Sequence, residues 1–319
     1  MNRTPVTDCR QPTDLLRGSG AEEPADSGPT ATVPRELVHR ARADDVLLTG
    51  WKSLGDERFS VTANWPYTHE FYNPVHGRHD PVLIVETLRQ AAILLCHAEF
   101  AVPLEHHFLM GDLHYTSHPK HLEVAGPPAE LTLDVVCSDI RRRGDRLSAT
   151  NFRMTVRNGA HTVATGGGHL TISTPQAYRR LRGASFPRES AAPTIPVLPQ
   201  LVGRTDLAHV VLAPTPAPGR WQLRADDRNA TLFGRAVDHY PGMILVEAAH
   251  QAATALLSPA PFYPASFTID FHRYVEFAPP CWIEAHTVPT MVSGATSVRV
   301  TGHQDGQPVF TASLTDAGQ

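Results

Sequence analysis

Two glutamates in matching apolar segments are the residues of this sequence with the clearest potential for chemistry. Glu86 lies in Val-Glu-Thr-Leu-Arg-Gln-Ala-Ala, and Glu247 lies in Val-Glu-Ala-Ala-His-Gln-Ala-Ala. Burying a carboxylate on an apolar helix is costly unless it is paired or used in catalysis. Two interpretations stay open: an internal ion pair of Glu86 with Arg89, or a catalytic base whose pKa is raised by burial.

Polar side chains follow each glutamate at helical spacing, so that they share its face of the helix. Arginine can bind a phosphate or an oxyanion through two parallel hydrogen bonds, and histidine exchanges protons near neutral pH. Histidines that just precede each helix could line the same cleft. The predicted catalytic residues are Glu86, Glu247 and His250. The predicted substrate-binding residues are Arg89, Gln90, His76, His79, His239 and Gln251.

The elements that carry these residues occur twice, in the same order. The pattern predicts a first buried helix over residues 80–97, with Asp80 as its N-cap, and a second over residues 239–256. Downstream, Asp112-Leu113-His114 matches Asp270-Phe271-His272, and the hairpin-turn dipeptide Asn158-Gly159 matches Asp305-Gly306. Ordered matches of this kind indicate an internal duplication.

Strand patterns follow each helix. After the first helix they cover residues 107–117, 129–139, 146–157 and 161–173. One long apolar helix with a run of antiparallel strands is an α+β arrangement, and a helix that is apolar nearly all round needs a sheet curled about it. We therefore predict a double hotdog fold with the two glutamate helices as neighbours. The predicted divisions are a disordered tail (1–34), hotdog domain 1 (35–174), a Pro-rich linker (175–205) and hotdog domain 2 (206–316).

Composition narrows the classes of function. The net charge of −4 does not indicate nucleic-acid binding, and no apolar run is long enough to span a membrane. Four cysteines without paired spacing, and no visible signal peptide, favour the cytoplasm. The 18 histidines lack metal-ligand spacing, and Gly166-Gly167-Gly168 lies in a strand pattern, where it indicates close packing or a bulge and no phosphate loop. We therefore expect neither a metal nor a cofactor.

The second helix segment, Pro241 to Ala253, resembles that of hotdog β-hydroxyacyl-carrier-protein dehydratases, but the His-Phe-Pro-Gly stretch of that family is missing. A resemblance over residues 33–316 is more specific, and it is to the A-factor synthase family of actinobacterial hormone biosynthesis. The motifs that carry it are Val38-His39-Arg40, Phe59-Ser60-Val61-Thr62-Ala63, Pro74-Val75-His76-Gly77, His79-Asp80-Pro81, Glu86-Thr87-Leu88-Arg89-Gln90-Ala91-Ala92, His107-Phe108-Leu109-Met110, Ser173-Thr174-Pro175-Gln176-Ala177-Tyr178-Arg179-Arg180, Phe271-His272-Arg273-Tyr274, Glu276-Phe277 and Val300-Thr301-Gly302-His303-Gln304-Asp305-Gly306.

This resemblance implies an acyltransferase that joins a β-ketoacyl chain, delivered on acyl carrier protein, to a hydroxyl of dihydroxyacetone phosphate. The ester then closes to a phosphorylated butenolide, the precursor of a γ-butyrolactone or furan signal. The functional positions implied by the family fall on Glu86, Glu247 and residue 250, where this chain has histidine and the family arginine. We therefore expect the two clefts to have unequal roles, with Glu86 essential.

Two other functions stay open: a hotdog thioesterase or dehydratase, and a non-catalytic acyl-binding regulatory protein. The missing dehydratase histidine argues against the former, and the two glutamates argue against the latter. Two basic clusters, Arg141-Arg142-Arg143 and Arg179, Arg180 with Arg182, could dock an acidic carrier protein or only solvate a turn and a linker. The expected assembly is an intramolecular pair of hotdog domains, with a homodimer as a further level.

Overall fold

The fold was analysed in a computed structural model that describes residues 33–124, 126, 128–183, 194–224, 226, 229–234 and 237–318. Most of the predicted tail (residues 1–32) and part of the predicted linker (184–193) lie outside the described residues. The α-helices are α1 (Val82–Ala98), α2 (Pro175–Arg182) and α3 (Gly242–Leu257). The strands are β1 (Leu48–Gly55), β2 (Arg58–Trp65), β3 (His107–Ser117), β4 (Ala129–Arg143), β5 (Arg146–Asn158), β6 (His161–Ser173), β7 (Leu212–Pro214), β8 (Arg220–Leu223), β9 (Pro264–Phe271), β10 (Trp282–Val288), β11 (Ser297–Gln304) and β12 (Gln307–Asp316).

The strands form one antiparallel sheet whose two halves repeat the same connectivity. The order is β1-β2-β4-β5-β6-β3-β9-β12-β11-β10-β8-β7, so β3 and β9 join the halves at the centre. At this junction Asp112 pairs with Asp270, which are equivalent residues of the two repeats. Equivalent residues that face each other mark a two-fold relation between the halves. The α+β double hotdog predicted from the repeats is confirmed.

Helix α1 is buried almost all round, as its apolar sequence predicted. Of its residues only Arg89 and Ala98 escape full burial. The helix begins at Val82 with Pro81 at the N-cap position, one residue later than predicted, and Asp80 Oδ1 accepts the Val82 N–H at 2.9 Å. The sheet approaches α1 closely at Gly166, where a Cβ would lie 2.7 Å from Leu88 Cδ1. The close packing expected for the glycine run is therefore present, and α1 also contacts α3.

Some local predictions were wrong. Residues 208–213 have a sequence pattern that predicts a strand, but the strand observed there is only Leu212–Pro214, because Leu207–His209 forms a 3-10 turn closed by the Asp206 side chain. Part of the predicted linker is helix α2, which begins at Pro175 after the capping hydroxyl of Thr174. No helix in the described ranges is long and apolar enough to cross a membrane. The cysteines within those ranges, Cys96, Cys137 and Cys281, are free and buried, as expected.

Candidate active site

Glu86 lies at the centre of a buried ion-pair cluster on α1. Its Oε1 accepts hydrogen bonds from Arg40 Nε at 2.8 Å, Arg89 Nη2 at 2.9 Å and Gln90 Nε2 at 2.5 Å. Its Oε2 accepts from Arg89 Nε at 2.9 Å and contacts Arg40 Nη2. The side chain has no exposed surface, so Arg40, Arg89 and Gln90 account for the contacts of the whole carboxylate.

These contacts overturn the expected protonation of Glu86. Burial alone raises the pKa of a carboxyl group, but the charges of Arg40 and Arg89 outweigh burial here and lower the pKa to about 2. The prediction of a raised pKa was therefore wrong. At neutral pH the group is ionised, hydrogen-bonded through both oxygens and poorly suited to accept a proton. Its geometry matches the ion-pair interpretation, with Arg40 as an unexpected second partner.

The second repeat builds a related cluster around Glu247. Arg204 donates from Nε to Oε1 and from Nη2 to Oε2, each at 2.6 Å, and Gln251 Nε2 donates to Oε1 at 2.6 Å. Arg204 also contacts Asp80 Oδ2, which belongs to the first repeat. Burial raises the pKa of Glu247, but the charge of Arg204 outweighs it, and the pKa is lowered.

Arg40 and Arg204 are site residues that the sequence analysis did not identify. Each follows a short 3-10 helix and a residue with left-handed backbone, His39 at φ 55° and Gly203 at φ 70°. The sequence carried a signal, because Val38-His39-Arg40 and Val202-Gly203-Arg204 match in the two repeats. The signal was missed because it is short and distant from the glutamate helices.

Gln90 and Gln251 hold the chain that leads into the first strand of each half. Gln90 accepts from the Leu47 N–H at 3.0 Å and donates to Asp45 O at 2.7 Å. Gln251 repeats this pattern, accepting from the Val211 N–H at 2.9 Å and donating to His209 O at 2.7 Å. We assign both amides a structural role, because their polar atoms are used within the fold.

The two clusters differ in charge. In the first cluster, Glu86 pairs with Arg40 and Arg89, so the directly paired groups carry a net charge of +1. In the second cluster, Arg204 pairs with Glu247 and Asp80, so the directly paired groups carry a net charge of −1. Of these two clusters, only the first therefore has an excess positive charge that could recognise a phosphate.

His250 does not restore a cation to the second cluster. Its Nδ1 lies 2.9 Å from Val246 O, and its ring lies 4.8 Å from that of Phe267. Burial lowers the pKa of His250 below its ordinary value, so the ring is neutral at pH 7.

A cavity of about 1010 Å³ opens beside the first cluster. Residues from both repeats line it, including Val85 and Arg89 of α1, Phe108 of β3, Met243 of α3 and His239 of the preceding loop. Arg89 is partly exposed, and its Nη1 has no hydrogen-bond partner within the described part of the chain. The cavity is thus composite, and its lining combines apolar side chains with charged ones, among them Arg89 of α1.

The predicted histidines divide between this cavity and other places. His239 lines the cavity, whereas His76 is exposed in the turn before α1. His79 is buried, with its ring 5.3 Å from that of Trp65. Of the predicted site residues, the cavity therefore collects Arg89 and His239, with Glu86 behind Arg89.

The loop that carries His239 is fastened by a second polar cluster. Asp238 Oδ1 accepts from His239 Nδ1 and from the Tyr178 hydroxyl, each at 2.7 Å. Arg182 Nε donates to Asp238 Oδ2 at 3.0 Å, and its Nη1 donates to Glu276 Oε1 at 2.6 Å. Helix α2 is thereby tied to the loop before α3 and to the chain after β9.

This fold and site define a hotdog protein with two fused repeats and a composite cavity. A family model described as the A-factor biosynthesis hotdog domain matches residues 21–174 and 187–317, and the chain belongs to this family. The second matched segment begins within the predicted linker, ahead of Arg204, which pairs with Glu247. The domain boundaries themselves stay a prediction.

Relatives match over nearly the whole chain. A 2-oxo-3-(phosphooxy)propyl 3-oxoalkanoate synthase of Streptomyces virginiae is 46% identical, covering 91% of this chain and 99% of its own. A synthase of the same name from Streptomyces coelicolor is 47% identical, covering 88% of this chain and 90% of its own. Among solved structures, a protein described as an oleoyl thioesterase from Lactobacillus plantarum has a TM-score of 0.51 at 10% identity, covering 82% of this chain and 96% of that one. This likeness concerns the fold alone.

Proposed function

We propose that this protein is an acyltransferase that esterifies dihydroxyacetone phosphate with a β-ketoacyl group and so forms the precursor of a phosphorylated butenolide. The near full-length similarity to two synthases named for that ester carries the proposal. The name describes dihydroxyacetone phosphate acylated on its free hydroxyl by a 3-oxoalkanoate. A β-ketoacyl thioester is the activated form of that acid, and it needs no cofactor to transfer its acyl group.

The cavity supports both halves of this substrate pair. Apolar side chains such as Val85, Phe108 and Met243 suit an acyl chain, and the guanidinium of Arg89 suits a phosphate or the tetrahedral oxyanion. Glu86 fixes Arg89 through two hydrogen bonds, so that the guanidinium is oriented before substrate binds. We therefore propose that Glu86 acts through Arg40 and Arg89 and does not itself exchange protons.

The reaction has two steps. In the first, the alcohol oxygen attacks the thioester carbonyl, the C–S bond breaks, and the thiol leaves with the proton of the alcohol. In the second, the carbon between the two carbonyls of the acyl group attacks the ketone of the dihydroxyacetone phosphate part. This closes a five-membered lactone ring, and loss of water gives the butenolide.

The test is incubation of the pure protein with a β-ketoacyl thioester and dihydroxyacetone phosphate, followed by mass spectrometry. We expect the phosphorylated ester or its dehydrated lactone, together with one thiol per acyl group transferred. A parallel reaction without dihydroxyacetone phosphate should release little free acid. Rapid release of β-keto acid in both reactions would contradict the proposal and favour the thioesterase alternative.

We further propose that acyl carrier protein delivers the acyl group at the end of the sheet where the cavity opens. Arg141 pairs with Ala149, which pairs with Thr171, which pairs with Leu109 of the cavity wall. Arg141, near the β4–β5 turn, therefore lies at the same end of the sheet as Leu109, about 14 Å from it across three strand spacings. Arg182 is no part of a docking surface, because it is buried in ion pairs.

Two further expectations belong to this proposal. We place the activity in the cytoplasm, because a phosphorylated substrate carries charges that are costly to move through a membrane. A homodimer beyond the intramolecular pair of hotdog domains stays a prediction.

A further inference from the structure

The proposed esterification needs a base for the alcohol, and neither predicted glutamate is placed to serve. Glu86 and Glu247 have no exposed surface, and arginine and glutamine side chains hold their oxygens. Any base that touches substrate must lie on the cavity wall. His239 lies there, in the loop before α3.

The hydrogen bonds of His239 determine which ring nitrogen holds the proton. Asp238 Oδ1 is a carboxylate oxygen that only accepts, so the Nδ1 that lies 2.7 Å from it carries the hydrogen. The second nitrogen, Nε2, then has a lone pair, and it meets no hydrogen-bond partner among the described residues. The side chain is 21% exposed. An Asp–His pair with a basic nitrogen at a cavity is the arrangement that general-base catalysis requires.

The groups around His239 come from three parts of the chain. Asp238 precedes it, Tyr178 and Arg182 reach it from α2, and Tyr274 and Glu276 reach it from the chain after β9. The Tyr274 ring meets the imidazole edge-on, with 4.7 Å between ring centroids. Burial lowers the pKa of His239 and outweighs the opposing effect of Asp238. The imidazole is therefore neutral at pH 7, in the form that can accept a proton.

We propose that Nε2 of His239 is the general base of the esterification, with Asp238 as its positioning residue; this inference rests on the proposed function. Nε2 takes the hydroxyl proton of dihydroxyacetone phosphate as the new C–O bond forms. When the C–S bond breaks, the imidazolium returns that proton to the leaving thiolate, so the histidine ends each turnover neutral. The base comes from the second repeat and the cation, Arg89, from the first.

The test is His239→Asn, because the asparagine amide can still donate near the Nδ1 position to Asp238 but has no basic nitrogen. His239→Gln, which places a non-basic amide near the Nε2 position, is the second variant if the first does not fold. We expect kcat to fall by about 100-fold or more, since general-base catalysis contributes factors of this size. The KM for dihydroxyacetone phosphate should stay within a few-fold. His286→Gln, on the exposed side of β10, is the matched control and should keep full activity.

The pH profile separates catalysis from a structural role. Because the pKa of His239 is lowered below its usual 6.5, the wild-type kcat/KM should fall on acidification with a midpoint below pH 6.5. The residual activity of folded His239→Asn should lack this limb. An unchanged limb, or a folded variant within about tenfold of wild-type kcat, would overturn the role of His239 while leaving the proposed function intact. A wild type that forms no ester at all would overturn the proposed function itself.

Discussion

Arg89 is the residue at which the two repeats differ most in chemistry. Its counterpart, His250, is neutral and buried against Phe267. Arg89 instead lies at the cavity wall, where two hydrogen bonds to Glu86 hold its charged guanidinium. A guanidinium held in this way loses little freedom when it binds an anion, so its contribution to affinity is large. We therefore propose that Arg89 recognises the substrate phosphate.

Replacing Arg89 with glutamine tests this assignment. Glu86 keeps Arg40 and Gln90 as partners, so the variant should fold. We expect the KM for dihydroxyacetone phosphate to rise about 10- to 100-fold, because the loss of a charge-assisted hydrogen bond has an effect of this size. Steady-state kinetics measures the change. Arg157→Gln, which removes an exposed ion pair with Asp134 on β4 and β5, should leave KM unchanged. If Arg89→Gln and Arg157→Gln had the same KM for dihydroxyacetone phosphate, the phosphate would have to bind at a site other than Arg89.

Helix α2 is the element that the sequence analysis misjudged, and the reason lies in its contacts. Its proline and arginines resemble a linker by composition, yet Tyr178 and Arg182 fasten it to Asp238 and Glu276 over a long sequence separation. Tertiary partners of this kind leave no local pattern. Its other arginines, Arg179 and Arg180, are exposed.

Reversing exposed arginines tests the docking of a carrier protein. We expect Arg142→Glu in the β4–β5 turn, and Arg180→Glu on α2, to raise the KM for carrier-bound substrate several-fold, since charge complementarity mainly speeds association. The KM for a short thioester without carrier should not change. Arg299→Glu, exposed in the middle of β11, is the control. Equal losses on both substrates would rule out docking at these residues.

At the scale of the elements, sequence periodicity predicted the helices and hairpins, because short-range patterns of apolar and turn residues largely determine them. The apolar octets around Glu86 and Glu247 predicted α1 and α3, and alternating strand patterns with turns at Asn158-Gly159 and Asp305-Gly306 predicted the hairpins. The partners of the glutamates were less predictable. Arg40 lies 46 residues before Glu86, and only the folded chain shows that its charge reverses the expected pKa shift.

At the scale of the whole molecule, the duplication supplies two related sites of which one opens to the large cavity. The two-fold relation at Asp112 and Asp270 brings the loop before α3 to the face of α1 that carries Arg89. Each half therefore contributes a different feature: Arg89, held by Glu86, from the first and the Asp238–His239 pair from the second. Fusing the repeats in one chain lets them diverge in this way, which identical subunits cannot do.

The two glutamates should consequently differ when each is replaced by alanine. Glu86→Ala leaves Arg40 and Arg89 without their carboxylate, and an unpaired buried charge costs about 3–5 kcal/mol. Glu247→Ala leaves Arg204 still paired with Asp80, so its loss of stability should be smaller. We expect Glu86→Ala to lose activity, because Arg89 is no longer oriented, and folded Glu247→Ala to keep most of it.

Denaturant unfolding and single-turnover ester formation on both variants measure these differences. Unfolding must be checked first, because lost activity has meaning only for a folded variant. The greater loss of both stability and activity in Glu247→Ala would assign the chemistry to the second cluster. Full activity in both folded variants would make each carboxylate a purely structural partner of its arginine. The order that we expect follows from the charges: removing Glu86 raises the first cluster from +1 to +2, whereas removing Glu247 takes the second from −1 to neutrality.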